Sequence, residues 1–155
     1  MTKVHHMTSD RTLPDDGELS KEPKGVGQHA IIELYECPYD LLNDEGYVCH
    51  AIRHAAGKAC THLLKLISHQ FSPQGVTALG LLSESHISIH TWPEKGYAAA
   101  DFFTCSPTTR SIAFTRELSR LFQAGRHSAR YLPRGDQILD SVVDLSSGAK
   151  DKVVF

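Results

Sequence analysis

Between residues 67 and 104 the sequence offers four strand-length runs in succession, Ile67–Phe71, Val76–Ser83, His86–Thr91 and Tyr97–Thr104, with no gap long enough to hold a helix. Strands joined that closely pair antiparallel, because a parallel neighbour needs a crossover of roughly a dozen residues or more. Ser72-Pro73-Gln74-Gly75 and Pro93-Glu94-Lys95-Gly96 supply turn chemistry between runs. An earlier run, His29–Glu36 (HAIIELYE), has the β-branched and aromatic content of a strand and is closed by Cys37-Pro38, while Ser128–Leu132 is a candidate edge strand. Two stretches carry helical spacing instead. Asn43 or Asp44 can cap a helix over roughly 44–66, with Val48, Ile52, Ala55, Ala59 and Leu63 in register and Ala56 and Leu66 beside them. After Pro107, the set Phe114, Leu118, Leu121 and Phe122 predicts a second helix ending near Gly125. The prediction is an α+β fold, a two-layer sandwich with a largely antiparallel sheet and two helices on one face.

A sheet covered on one side needs polar residues or a partner on the other. Here the second face should carry Phe71, Trp92, Phe102 or Phe103 and several histidines, too apolar a set to stay wet, so pairing of two copies through their sheet faces is expected. The 155 residues suit one domain, set at 28–135, after a polar, unpatterned N-terminal tail over 1–27 that reads as disordered and before a C-terminal tail over 136–155. A formal net charge of −2 leaves no basic surplus for a phosphate backbone, so nucleic acid is not an expected partner. No apolar run approaches the roughly 20 residues that cross a bilayer, and the N-terminus lacks the apolar core of a secretory signal, so no membrane partner and a cytoplasmic location are expected. Cys37, Cys49, Cys60 and Cys105 show no C-x-x-C spacing, which argues against a zinc ribbon or disulfide framework and for at least one free thiol.

The chemistry concentrates in Leu81–Cys105, LLSESHISIHTWPEKGYAAADFFTC, which gathers Ser83, Glu84, Ser85, His86, Ser88, His90, Glu94, Asp101 and Cys105. A hairpin turning at Pro93–Gly96 sets Ser85 opposite Cys105, to within one residue of register. Ser85 and His90 differ by five positions, which strict alternation puts on opposite faces. The Glu84–Ser85 bond is therefore expected in a turn or bulge, or cut. A strained, exposed peptide in front of a serine is where a hydroxyl can attack the preceding carbonyl. Other readings stay open on residue types alone. Ser and His at alternate positions are commonly a strand's polar face. His86 with His90, or His50 with His54 beside Cys49 or Cys60, could begin a zinc site, but further ligands at metal spacing are missing and no metal is assigned. A Ser–His hydrolase lacks its Gly-x-Ser-x-Gly elbow.

The run Glu84-Ser85-His86-Ile87-Ser88-Ile89-His90-Thr91-Trp92-Pro93-Glu94, with Gly96-Tyr97-Ala98-Ala99 and Phe103-Thr104-Cys105 after it, resembles the signature of the short prokaryotic S-adenosylmethionine decarboxylases. The resemblance extends from about His29 to Gly135 and takes in ELYEC at 33–37 and F-x-P-x-G-V at Phe71–Val76. It implies a proenzyme in which Ser85 attacks the Glu84 carbonyl and the chain is cut between Glu84 and Ser85. Ser85 becomes a pyruvoyl group, a covalent cofactor derived from pyruvate that forms a Schiff base with the substrate amine. The product would be decarboxylated S-adenosylmethionine, the aminopropyl donor of spermidine biosynthesis.

Carried over residue by residue, the resemblance makes His90 the histidine that assists processing and Cys105 the thiol that returns a proton after carbon dioxide leaves. Thr77 stands where the family more often has Ser, keeping the hydroxyl. Phe71 matches the aromatic that stacks on adenine, Trp92 is a second candidate wall, and Glu94 matches the carboxylate that accepts from the ribose hydroxyls. Family members set two active sites at a dimer interface, so the implied partners are S-adenosylmethionine, the chain's own two cleavage fragments and a second processed copy; no residue is assigned in trans from sequence. Ser106 stands after the thiol where the family usually has Gly, implying a differently shaped loop. Arginine or ornithine decarboxylases on this scaffold, and a non-enzymatic homologue that binds a decarboxylase, are the competing readings. Phe71 with Glu94 favours a nucleoside substrate, and Glu84, Ser85, His90 and Cys105 together argue for an enzyme.

Overall fold

The computed structural model describes residues 25–135; the disordered lead-in and the C-terminal tail expected from sequence otherwise lie outside the described residues. Six strands form one antiparallel sheet: β1 (Gly27–Tyr35), β2 (Leu63–Gln70), β3 (Val76–Leu82), β4 (Ser85–Trp92), β5 (Tyr97–Thr104) and β6 (Arg126–Arg134). Their spatial order is β2-β3-β4-β5-β1-β6, so β1 lies between β5 and the last strand. A single helical turn α1 (Tyr39–Leu42) leads into α2 (Glu45–Lys58), and α3 (Thr108–Leu121) follows β5. Both long helices pack on one side of the sheet, giving the α+β sandwich expected from sequence.

The alternation along each strand builds the core. Ala30, Ile32 and Leu34 of β1, Val76 and Ala78 of β3, Ile87 and Ile89 of β4 and Ala98, Ala100 and Phe102 of β5 point inward and are buried, meeting Val48, Ile52 and Ala55 of α2 and Phe114 and Leu118 of α3. Phe102 stacks on Phe114 with ring centroids 4.5 Å apart, so Phe103, its neighbour, faces the other way. Asp44 caps α2 by accepting from the Tyr47 N–H at 2.8 Å.

The first helix is shorter than the apolar spacing predicts. It stops at Lys58, Cys60 takes a left-handed turn at φ 53°, and the Thr61 hydroxyl donates to the Ala56 carbonyl at 3.0 Å. Leu63 and Leu66 then belong to β2, where a bulge between Leu63 and Lys65 turns both toward the core, imitating a helical repeat.

The uncovered face carries His69, Thr77, Leu79, Leu81, His86, Ser88, His90, Trp92, Tyr97, Asp101, Phe103, His29 and Glu33 on neighbouring strands. Ile67, Leu79 and Leu81 are each about half exposed around a shallow apolar hollow reached by Lys65 and His86. This is the mixed, partly apolar surface anticipated from sequence.

Candidate active site

Ser85 opens β4 at the exit of the tight Ser83-Glu84 connection from β3, so the Glu84–Ser85 peptide does sit in a turn. Ser85 has a φ of 159°, close to fully extended. Register also differs by one residue from expectation. The four-residue loop Pro93–Gly96 closes directly on the pair Trp92 and Tyr97, which sets Ser85 opposite Thr104 rather than Cys105. Cys105 instead faces Glu84, and its N–H donates to the Glu84 carbonyl at 3.4 Å. The thiol is exposed, one rung beyond the serine.

Three further groups gather at this end of the sheet. Nδ1 of His86 lies 3.1 Å from Oγ of Ser85. The Glu84 carboxylate accepts from the His62 N–H at 3.3 Å, and the Ser83 hydroxyl, with that N–H and the nearby Arg110 charge, holds its pKa below the usual carboxylate range. Arg110, in the first turn of α3, donates to the Cys60 carbonyl at 2.9 Å and the Ser106 hydroxyl at 3.2 Å. Ser106 is thereby tied to the segment that follows α2.

His90 lies at the other end of β4. Five residues of strand separate it from Ser85, about 16 Å at the ordinary rise per residue. It faces Thr77 across the β3–β4 pair, with Nδ1 hydrogen-bonded to Oγ1 of Thr77. Trp92 meets the His90 ring edge-on at 4.2 Å between centroids, and Phe71, 42% exposed, approaches it at 5.7 Å. Beyond Trp92 the aromatic row continues through Tyr97 at 5.2 Å and Tyr35 at 5.3 Å from Tyr97. The Tyr97 hydroxyl donates to Glu33, and burial followed by that carboxylate pushes its pKa up to about 12. Glu94 is exposed on the Pro93–Lys95 turn, where its Oε2 accepts from Nε2 of Gln74 at 3.0 Å.

The residues singled out from sequence thus form two groups: Glu84, Ser85 and Cys105 at one end, Phe71, Thr77, His90, Trp92 and Glu94 at the other. His62, Gln74 and Arg110 were not singled out from sequence, and His86 was weighed only as a zinc ligand, although its adjacency to Ser85 could have marked it. The other three reach the site through loop geometry that leaves no local pattern.

The same segments match known proteins. A family model described as S-adenosylmethionine decarboxylase matches residues 28–135. The chain is 49% identical over 109 residues to an S-adenosylmethionine decarboxylase proenzyme of Prochlorococcus marinus (strain MIT 9313), a match covering 70% of this chain and 87% of that protein. It is 43% identical over 110 residues to the proenzyme of the same description from Carboxydothermus hydrogenoformans, covering 71% of this chain and 87% of that protein. Among solved structures, the adenosylmethionine decarboxylase of Aquifex aeolicus VF5 superimposes with a TM-score of 0.68 at 28% identity, over 81% of this chain and 99% of that one. A match that runs from the first strand of the sheet to the last, with the Glu84–Glu94 segment inside it, leads to one conclusion: this chain belongs to the S-adenosylmethionine decarboxylase family.

Proposed function

We propose that this chain cuts itself between Glu84 and Ser85, converts Ser85 into a pyruvoyl group, and with it decarboxylates S-adenosylmethionine. The products are carbon dioxide and the aminopropyl donor for spermidine synthesis. The observation that carries the reading is the Glu84–Ser85 peptide itself, held in a two-residue turn with its carbonyl oxygen 3.4 Å from the Cys105 N–H. That donor is directed at the oxygen that must take up negative charge when the carbonyl is attacked.

In cleavage, Oγ of Ser85 adds to the Glu84 carbonyl carbon, and Nδ1 of His86, 3.1 Å from the hydroxyl, accepts its proton. Collapse with loss of the amide nitrogen gives an ester in place of the peptide bond. Removal of the Ser85 α-proton then expels the Glu84 carboxylate, ending the N-terminal fragment. Hydrolysis of the dehydroalanine left behind releases ammonia and leaves a pyruvoyl cap on residue 85. Ser85 suits this conversion: it starts a strand, is partly exposed, and its hydroxyl has a proton acceptor beside it. The pyruvoyl carbonyl supplies the electron sink that decarboxylation requires and that no ordinary side chain offers.

The remaining steps fall to side chains. His90, polarised by the Thr77 hydroxyl, is the base for the α-proton, and Cys105 returns a proton to the substrate carbon. Phe71 and Trp92 are the walls for adenine, with Glu94 the acceptor for the ribose hydroxyls. About 16 Å of strand between Ser85 and His90 exceeds any proton transfer within one copy. The reading therefore pairs two processed copies through the uncovered sheet face, each supplying Ser85 and Cys105 to one site and His90, Phe71 and Glu94 to the other. Arginine or ornithine as substrate is not favoured, since the relatives reported above are S-adenosylmethionine decarboxylases and the half-site holds an aromatic beside a carboxylate.

Intact mass of the purified protein under denaturing, reducing conditions, beside a Ser85→Ala control, tests the cleavage. A fragment beginning at residue 85 with pyruvoyl mass, missing from the control, is expected. An uncut chain in aged, folded protein removes the mechanism. Release of carbon dioxide from S-adenosylmethionine, arginine and ornithine in parallel then tests the substrate.

A further inference from the structure

We propose that Gln74 is a positioning residue for the nucleoside end of the substrate, acting through Glu94; the proposal rests on the assignment of Glu94 to the ribose hydroxyls. Both ends of the Gln74 amide are engaged. Nε2 donates to Oε2 of Glu94 at 3.0 Å, and Oε1 accepts from the Tyr39 hydroxyl at 3.1 Å. A carboxylate can only accept, so the amide has one orientation that serves both neighbours.

The hold extends into the framework. Nδ2 of Asn43 lies 3.5 Å from the Tyr39 oxygen, and Oδ1 of Asn43 accepts from the Gly75 N–H at 2.9 Å. The Asn43 carbonyl accepts from Nε2 of Gln70 at 2.8 Å, and the Gly75 carbonyl accepts from the Phe71 N–H at 2.8 Å. Three segments distant in sequence are thus joined: the α1 turn, the loop that carries Phe71, and the turn that carries Glu94. Glu94 is otherwise an exposed side chain on a short turn, free to visit many rotamers. With Oε2 held by Gln74, Oε1 stays open as an acceptor at a set distance from the Phe71 ring. That is what recognition of one rigid nucleoside by base stacking and by its ribose diol requires.

Gln74→Ala in the processed enzyme should raise KM for S-adenosylmethionine about 5- to 10-fold with kcat within about twofold, the pattern of lost uniform binding. Gln74→Glu, which sets a second carboxylate against Glu94, should raise it further. Cleavage at Glu84–Ser85 should keep its rate, because the side chains that Gln74 holds, Glu94 and Tyr39, take no part in it.

The deciding measurement is calorimetric binding of 5′-methylthioadenosine and its 2′-deoxy counterpart to wild type, Gln74→Ala, Glu94→Gln and the double variant. The proposal expects Gln74→Ala to weaken methylthioadenosine about 5- to 10-fold, to change the 2′-deoxy compound by less than about twofold, and to add nothing to Glu94→Gln. Equal weakening of both nucleosides, or wild-type binding by Gln74→Ala while Glu94→Gln is impaired, overturns it. Wild-type binding by Glu94→Gln removes the ribose assignment itself and the proposal with it.

Discussion

Thr77 and His90 meet across two strands, and the hydroxyl there fixes which imidazole nitrogen is engaged and how the ring is turned. Thr77→Ser keeps that contact and should cleave at close to the wild-type rate. Thr77→Val, the same shape without the hydroxyl, should slow cleavage about tenfold or more, followed by the appearance of the fragment beginning at residue 85. A second prediction concerns alkaline stability. Burial pushes the Cys37 thiol up to about 11, and burial with the Glu33 carboxylate pushes Tyr97 to about 12. Both groups hold their proton more tightly when folded, so the stability they contribute is intact below their ordinary values of 9.0 and 10.0 and is lost as pH rises toward 11 and 12. Urea midpoints measured across this range should fall with pH, and Tyr97→Phe should flatten the portion above about 10.

At the scale of elements, the pieces that hold the site are short and turn-rich. Gly75 has φ +97°, and a Cβ there would lie 3.0 Å from the Thr91 carbonyl, so Gly75→Ala should cost about 1–3 kcal/mol and disturb Phe71, read as a lower melting temperature and a raised KM. Phe114→Ala removes the ring stacked on Phe102 and should cost about 3–5 kcal/mol by denaturant titration, with little effect on any residue of the open face. Strands β1, β3, β4 and β5 were legible because their alternation is uninterrupted: β5 begins and ends where the pattern of Tyr97–Thr104 says it should. The end of α2 was not, because Leu63 and Leu66 continue an apolar period across a left-handed Cys60 and a bulge that no residue type announces. The hairpin register was missed by one residue because a β-turn, a 3-10 turn and a bulged loop all fit Pro-Glu-Lys-Gly, and each closes on a different pair.

For the whole molecule, the separation of Cys105 from Glu94 along the sheet makes a test of the two-copy site. Cys105→Ala and Glu94→Ala chains should each be nearly inactive as decarboxylases. Co-expressed, half of random dimers combine the two, and each of those has one intact site, so about a quarter of wild-type activity should return. No return would mean that each copy holds its own complete site. The residues proposed for catalysis come from one contiguous stretch, whereas their proposed division between two half-sites had no signal in the sequence, since it depends on which end of a strand each occupies.

The strand order has a further implication once the chain is cut. The piece ending at Glu84 contains β1, β2 and β3, the piece starting at Ser85 contains β4, β5 and β6, and β1 lies between β5 and β6. Each fragment is thus threaded through the other's hydrogen bonds, and neither can leave without tearing a sheet apart. A protein cut at the proposed bond would be put together by one-molecule folding, and once melted it would be regained only through a meeting of two molecules, at a rate that depends on dilution.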